Sequence, residues 1–297
     1  MINITFLGTS SMIPTKERNH SSLLITYKNE GILVDCGEGT QRQLRIAGIR
    51  PGKITKLLIT HWHGDHVLGI PGLIQNLAAH NYTKTLEIYG PKGSKKYLKN
   101  MMSGIILKER TKYVVKEISR GIFYKDLEFT LEATPVEHGT PCLAYSFKEQ
   151  DKRKINLSYL KKFKLKQHPL LGKLQKGKSI TYQGKKISVK KATNLIPGKK
   201  ITIVMDTAPT KSALTLAKNS DLLITESTWG SEMEALAKKR KHLTSNLAAE
   251  MAKKAKVKKL ILTHFSQRYK ELESLKKQAQ KIFKNIELAK DFMEVQL

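Results

Sequence analysis

Three imidazoles and a carboxylate fall within six residues, His61-Trp62-His63-Gly64-Asp65-His66, directly after the apolar stretch 56–60. In an extended segment alternate side chains project to the same side, so His61 and His63 can reach one cation. Asp65 and His66, beyond the Gly64 turn, can reach a second. Such a segment demands a fold in which further ligands converge on one strand end, and candidates occupy that kind of position elsewhere in the chain. His138 follows the apolar run 131–136, Asp206 follows 201–205, and His264 follows 260–263. Open sheets of mixed strands and helices hold their ligand sites just beyond the carboxyl ends of strands. Five His and two Asp would fill two sites if one carboxylate bridges, with a solvent position left open for catalysis.

The rest of the pattern agrees with a layered α/β or α+β core. Strand-like runs are expected at Ile2–Gly8, Ser22–Tyr27, 32–36, 57–60, 86–89, 123–134 and 144–147, and helical spacing at 40–47, 68–80, 211–218 and Ser245–Lys254. Thr244 or Ser245 is positioned to cap the last of these, with Glu250 and Lys254 paired on its exposed face. Residues 272–286 read as a basic amphipathic helix.

Charge narrows the partner. The 297 residues hold 54 Lys+Arg against 25 Asp+Glu, a net +29, and 40% of them are hydrophobic. That composition excludes collagen-like and low-complexity disordered chains. An excess of this size favours a polyanion, nucleic acid above all, over a neutral metabolite; a lysine-rich surface suited to hot environments is the alternative. Between 148 and 200 there are 17 Lys/Arg and only two acids, Glu149 and Asp151, so this stretch reads as a basic insertion in a single domain spanning 1–297. Cys36 and Cys142 are too few for a disulfide framework and form no C-x-x-C pair. With no basic leader and no long apolar run, a cytoplasmic protein without membrane contact is expected.

On these residues the sequence resembles the metallo-β-lactamase superfamily and, within it, the tRNA 3′ processing endonucleases of the ribonuclease Z family. The likeness extends over nearly the whole chain. It includes Phe6-Leu7-Gly8-Thr9-Ser10, Pro14-Thr15-Lys16-Glu17-Arg18-Asn19, Val34-Asp35-Cys36-Gly37-Glu38-Gly39-Thr40-Gln41, the histidine motif, His242-Leu243-Thr244 and Leu262-Thr263-His264. The resemblance implies a four-layer αββα sandwich with two zinc ions per subunit and no organic cofactor. His61, His63, His138 and Asp206 would bind one zinc, and Asp65, His66, Asp206 and His264 the other. It also implies Asp65 as proton acceptor and His242 as proton donor to the departing 3′ oxygen, with Glu226 orienting His242. The insertion lies where the family carries a tRNA-binding arm. Lys173, Lys176 and Lys178 on it, and Lys16, Arg18 and Arg268 nearer the metals, are the expected RNA contacts. A homodimer acting on precursor tRNA follows from the same likeness.

Two departures accompany it. The arm has His168-Pro169 where the family has Gly-Pro, and Met205-Asp206-Thr207-Ala208-Pro209 replaces Gly-Asp-Thr-Arg-Pro, losing a cation beside the ligand. The rival readings are a hydrolase of small esters on the same fold and a silent RNA-binding protein. A β-CASP nuclease would need a second large domain.

Overall fold

The computed structural model describes residues 1–106 and 111–297. Two seven-stranded sheets carry the architecture. The first runs, in spatial order, Glu294–Gln296, Ile2–Gly8, Ser22–Tyr27, Glu30–Val34, Lys56–Leu58, Leu86–Gly90 and Tyr113–Glu117. Its first four strands pair antiparallel and the remainder parallel. The second runs Ile286–Leu288, Lys259–Thr263, Leu222–Glu226, Lys200–Val204, Cys142–Glu149, Phe129–Val136 and Gly121–Lys125, its first four strands parallel.

The parallel strands are apolar on both faces because both faces are covered. Leu223, Leu260 and Leu262 pack with Ala248, Ala252 and Leu275 of the helices Ser245–Lys254 and Glu273–Gln280. Leu33 and Leu57 of the first sheet meet Leu73 and Leu77 of the helix Ile70–Ala79. Between the sheets, Phe6, Leu23 and Val34 face Ile203 and Ile224 around a small void. The layers are therefore helix, sheet, sheet, helix, the expected sandwich. Parallel pairing within each sheet puts the carboxyl ends of Glu30–Val34 and Lys56–Leu58, and those of Lys200–Val204, Leu222–Glu226 and Lys259–Thr263, at the side where the site lies. Thr244 caps Ser245–Lys254 by accepting from the Leu247 amide, and Glu250 meets Lys254 at 2.9 Å, as the sequence anticipates. Both cysteines are free and buried.

The chain divides into two compact units, one formed by Met1–Tyr124, Leu131–Phe147 and Lys200–Leu297, the other by Lys125–Thr130 and Lys148–Lys199. The second has its own small core of Leu160, Leu165, Leu174, Ile180, Ile187 and Ala192. In it Lys152–Ile155 pairs antiparallel with Thr193–Ile196, and Ile180–Tyr182 with Lys185–Ile187. The latter hairpin turns on Gln183 and Gly184, both at positive φ (49° and 72°), the conformation a two-residue turn needs to match strand twist. Lys173, Lys176 and Lys178 are exposed.

Three expectations need correction. The run 123–134 is two strands, because Asp126 accepts from the amides of Glu128 and Phe129 and turns the chain there. The strand expected over 32–36 ends at Val34, since Asp35 adopts a left-handed φ of 58°. The helix expected over 272–286 spans only Glu273–Gln280, and the chain returns as the strand Ile286–Leu288. Among the described residues, no helix is long and apolar enough to cross a membrane.

Candidate metal centre

The strand ends deliver their side chains to one place. His61, His63, His138 and Asp206 bring ligand atoms within 4.8 Å of one another, and so do Asp65, His66 and His264. Asp206 stands between the two groups. Its Oδ2 lies 3.8 Å from His61 Nε2 and 3.7 Å from His138 Nε2. Its Oδ1 lies 3.5 Å from His66 Nε2 and 3.1 Å from His264 Nε2. One carboxylate thus presents one oxygen to each group. Asp65 Oδ2 approaches both His66 and His264 at 3.4 Å, on the second group only.

Outer partners decide which ring nitrogen points inward. His66 donates from Nδ1 to Asp35 Oδ2 at 2.7 Å. Asp35 is oriented by the amide and hydroxyl of Thr60, each at 2.8 Å, and the Thr60 hydroxyl lies 3.1 Å from His61 Nδ1. His138 donates from Nδ1 to the Lys241 carbonyl at 3.1 Å, and His264 from Nδ1 to the Thr228 hydroxyl at 3.0 Å. Each of these four rings has its proton committed outward, which leaves Nε2 a bare lone pair facing in. His63 is the reverse case, with Nδ1 placed 3.0 Å from His61 Nε2 and 3.2 Å from His138 Nε2.

That arrangement fits cations. A proton on His63 Nδ1 could serve only one of the two Nε2 atoms it faces at 3.0 and 3.2 Å, whereas a cation among the three nitrogens would satisfy them all. Asp65 Oδ1 and Asp206 Oδ1 are buried and accept no hydrogen bond, a costly condition that a cation removes. Burial works against charging His66, yet Asp65, Asp35 and Asp206 together draw its proton affinity well above the ordinary range. A pocket that negative binds a cation and gives up a proton in exchange. Nitrogen and oxygen donors, with imidazole predominant, suit zinc and its borderline neighbours.

His242 stands at the flank. It also lies within reach of Asp206 and His264, but its Nδ1 faces both oxygens of Glu226 at 3.0 Å. Glu226 is fully buried and further fixed by the Thr207 amide at 2.8 Å and the Thr228 hydroxyl at 2.5 Å. Burial alone would depress the His242 imidazole, but Glu226 and then Asp206 carry it up to about 9. A cavity of about 570 Å³ opens above these groups, with Lys239, Arg240, Lys241 and Arg268 among its lining.

Of the expected RNA contacts near the metals, Lys16 and Arg268 are exposed. Arg18 has a different place. It is buried, and its guanidinium donates to the Tyr269 carbonyl at 2.9 Å and the Ser266 carbonyl at 3.4 Å, fastening the loop that bears Arg268 instead of facing solvent.

Known proteins share this arrangement of sheets. The chain is 38% identical to ribonuclease Z of Enterococcus faecalis, covering 98% of this chain and 96% of that one. The chain belongs to the ribonuclease Z family. The solved structure of the short form of human tRNase Z superposes with a TM-score of 0.72 at 28% identity, covering 99% and 98% of the two chains. YhfI from Bacillus subtilis, a metallo-β-lactamase fold protein, gives the same TM-score at 19% identity, covering 99% and 98%, and shares the fold. A family model described as anti-Pycsar protein Apyc1 also matches residues 2–289, so the chain falls within that family as well. Against the ribonuclease Z likeness, sequence reading passes over Asp35, Thr60 and Thr228. Asp35 lies inside the quoted Val34–Gln41 motif, at the end of an apolar run, and that position is its available signal.

Proposed function

We propose that this chain is a dinuclear zinc endoribonuclease that removes the 3′ trailer from precursor tRNA, leaving a 3′ hydroxyl on the tRNA and a 5′ phosphate on the trailer. The observation that carries this reading is the division of Asp206 between two histidine groups, with His242 and its Glu226 partner on their flank. His61, His63, His138 and Asp206 Oδ2 would hold one zinc; Asp65, His66, His264 and Asp206 Oδ1 would hold the other. When bound, the pair of ions lowers the pKa of a water and neutralises phosphodiester charge.

The chain's own residues then handle the protons. Water adds its oxygen to phosphorus as the bond from phosphorus to the 3′ oxygen breaks. Asp65 is kept ionised, since the positive charge gathered at its histidine group outweighs its burial, and it accepts the proton released by water. His242 gives its proton to the departing 3′ oxygen, and Glu226 holds the ring in that orientation. Exposed lysines of the unit containing Lys148–Lys199, Lys173, Lys176 and Lys178 among them, would grip the tRNA body through its phosphates and shape. We take the working form as a cytoplasmic homodimer in which one subunit's arm presents tRNA to the other's site.

Incubation with a 3′-extended precursor tRNA, with both product ends mapped and zinc counted per chain, tests the reading. Expected are one cut with the stated ends and two zinc ions. Turnover confined to small phosphodiesters and insensitive to salt would instead favour the small-ester hydrolase.

The Glu226 assignment gives a pH prediction. His242 is useful as an acid below its pKa and loses that capacity as pH rises through it. Bound cations pull that pKa down from about 9, but Glu226→Gln removes the largest raising influence whether or not they are present. The alkaline limb of precursor cleavage should therefore move to lower pH in Glu226→Gln. An unmoved limb with an ordinary drop in rate would mean that Glu226 only packs.

A further inference from the structure

The helix Glu234–Arg240 ends in four consecutive cations, Lys238-Lys239-Arg240-Lys241, immediately before His242. Lys241 adopts a left-handed conformation with φ 57° and ψ 53°. A non-glycine residue there carries strain of about 1 kcal/mol, so the turn has to be held by its surroundings. It is held at three points. The His242 amide donates to the Ala237 carbonyl at 2.9 Å, closing the helix end. The Lys241 carbonyl accepts from His138 at 3.1 Å, and the Lys241 ammonium meets Glu137, the neighbour of His138, at 3.3 Å. The run is thus fixed to the proposed acid on one side and to a proposed metal ligand on the other.

A cation or two in a last turn complements the helix dipole. That accounts for Lys238 and for part of the rest, but Lys239 and Arg240 line the catalytic cavity and are exposed. Among the described residues, neither forms an ion pair with a carboxylate, whereas Lys241 does. Two uncommitted cations in the wall of a cavity built for a phosphodiester call for a phosphate.

The chemistry indicates which one. A cut that leaves a 3′ hydroxyl expels the 3′ oxygen of the upstream nucleotide, so the acid protonating that oxygen stands on the upstream side of the bond. The residues that lead into His242 accordingly lie along the upstream strand. We propose that Lys239 and Arg240 bind backbone phosphates on the 5′ side of the scissile bond and so hold the mature tRNA end against His242. This rests on the trailer-removing reading above and adds a strand polarity to it.

The test compares the two products as competitive inhibitors of precursor cleavage. In Lys239→Gln/Arg240→Gln, the Ki of mature tRNA bearing its 3′ hydroxyl should rise at least about tenfold, and its log–log salt slope should fall by about 1.4, two single-strand phosphates at roughly 0.7 each. The Ki of a trailer oligonucleotide with its 5′ phosphate should stay unchanged. Lys239→Arg/Arg240→Lys, which keeps both charges, should restore tRNA inhibition. Equal weakening of both products, weakening of the trailer alone, or no change in either would overturn the polarity. Failure of the wild type to cut precursor tRNA at all would instead strike the proposed function itself.

Discussion

Asp65→Ala should lower cleavage of precursor tRNA by about 10²- to 10⁴-fold, the range expected when a positioned proton acceptor is removed, while RNA affinity stays near that of the wild type. Asp65 meets only one histidine group, at 3.4 Å from His66 and from His264, so metal at the other group should be retained. Asp206→Ala is the sharper contrast, because each of its oxygens serves a different group. In that variant metal content should fall at both sites together with activity. Single-turnover rates, filter binding and metal analysis on the same preparations separate the outcomes. If Asp65→Ala loses RNA affinity in step with rate, or Asp206→Ala keeps one full site, the division of roles is wrong.

The second large effect concerns the basic segment. Lys152 and Ile196 are cross-strand neighbours, so residues 153–195 can be replaced by an Asn-Gly turn without separating the strand ends that remain. The excised part contains the small core around Leu160, Leu174 and Ile187, which has no further purpose once its own strands are gone. Precursor binding should weaken by at least about tenfold, and the salt slope should drop by roughly 0.9 for each duplex phosphate that the segment no longer neutralises. Hydrolysis of a small chromogenic phosphodiester should continue. Loss of both activities would show that the segment supports the metal site as well as the RNA.

The ligands are legible in the sequence because each follows an apolar run whose end is marked by loss of hydrophobic pattern. His61, His138, Asp206 and His264 need only that positional rule to be gathered into one site. Their outer partners have no such mark. Thr60 and Thr228 read as ordinary strand-end hydroxyls, and their work depends on ring orientation, which spacing does not encode. Arg18 misleads for a related reason: an arginine in a polar loop reads as exposed, whereas here the side chain is buried and one of its terminal nitrogens donates to the carbonyls of Ser266 and Tyr269. In the C-terminal segment amphipathic spacing persists beyond Gln280, while the backbone leaves the helix to add Ile286–Leu288 to the sheet edge, where pairing with Leu260–Leu262 outweighs local preference. Asp126 and Asp35 cut two expected strands short, each through local backbone geometry.

The ions would join the first sheet, which leads into His61 to His66, to the second, which leads into Asp206 and His264. They would therefore act as a clasp on the two-sheet assembly as well as a reaction centre. The first site would tie the sheets once Asp206 has been made, but the second cannot be completed until His264, 203 residues after His61, follows. Occupancy of both sites would then wait until nearly every strand of both sheets has been synthesised and is free to fold around the ions.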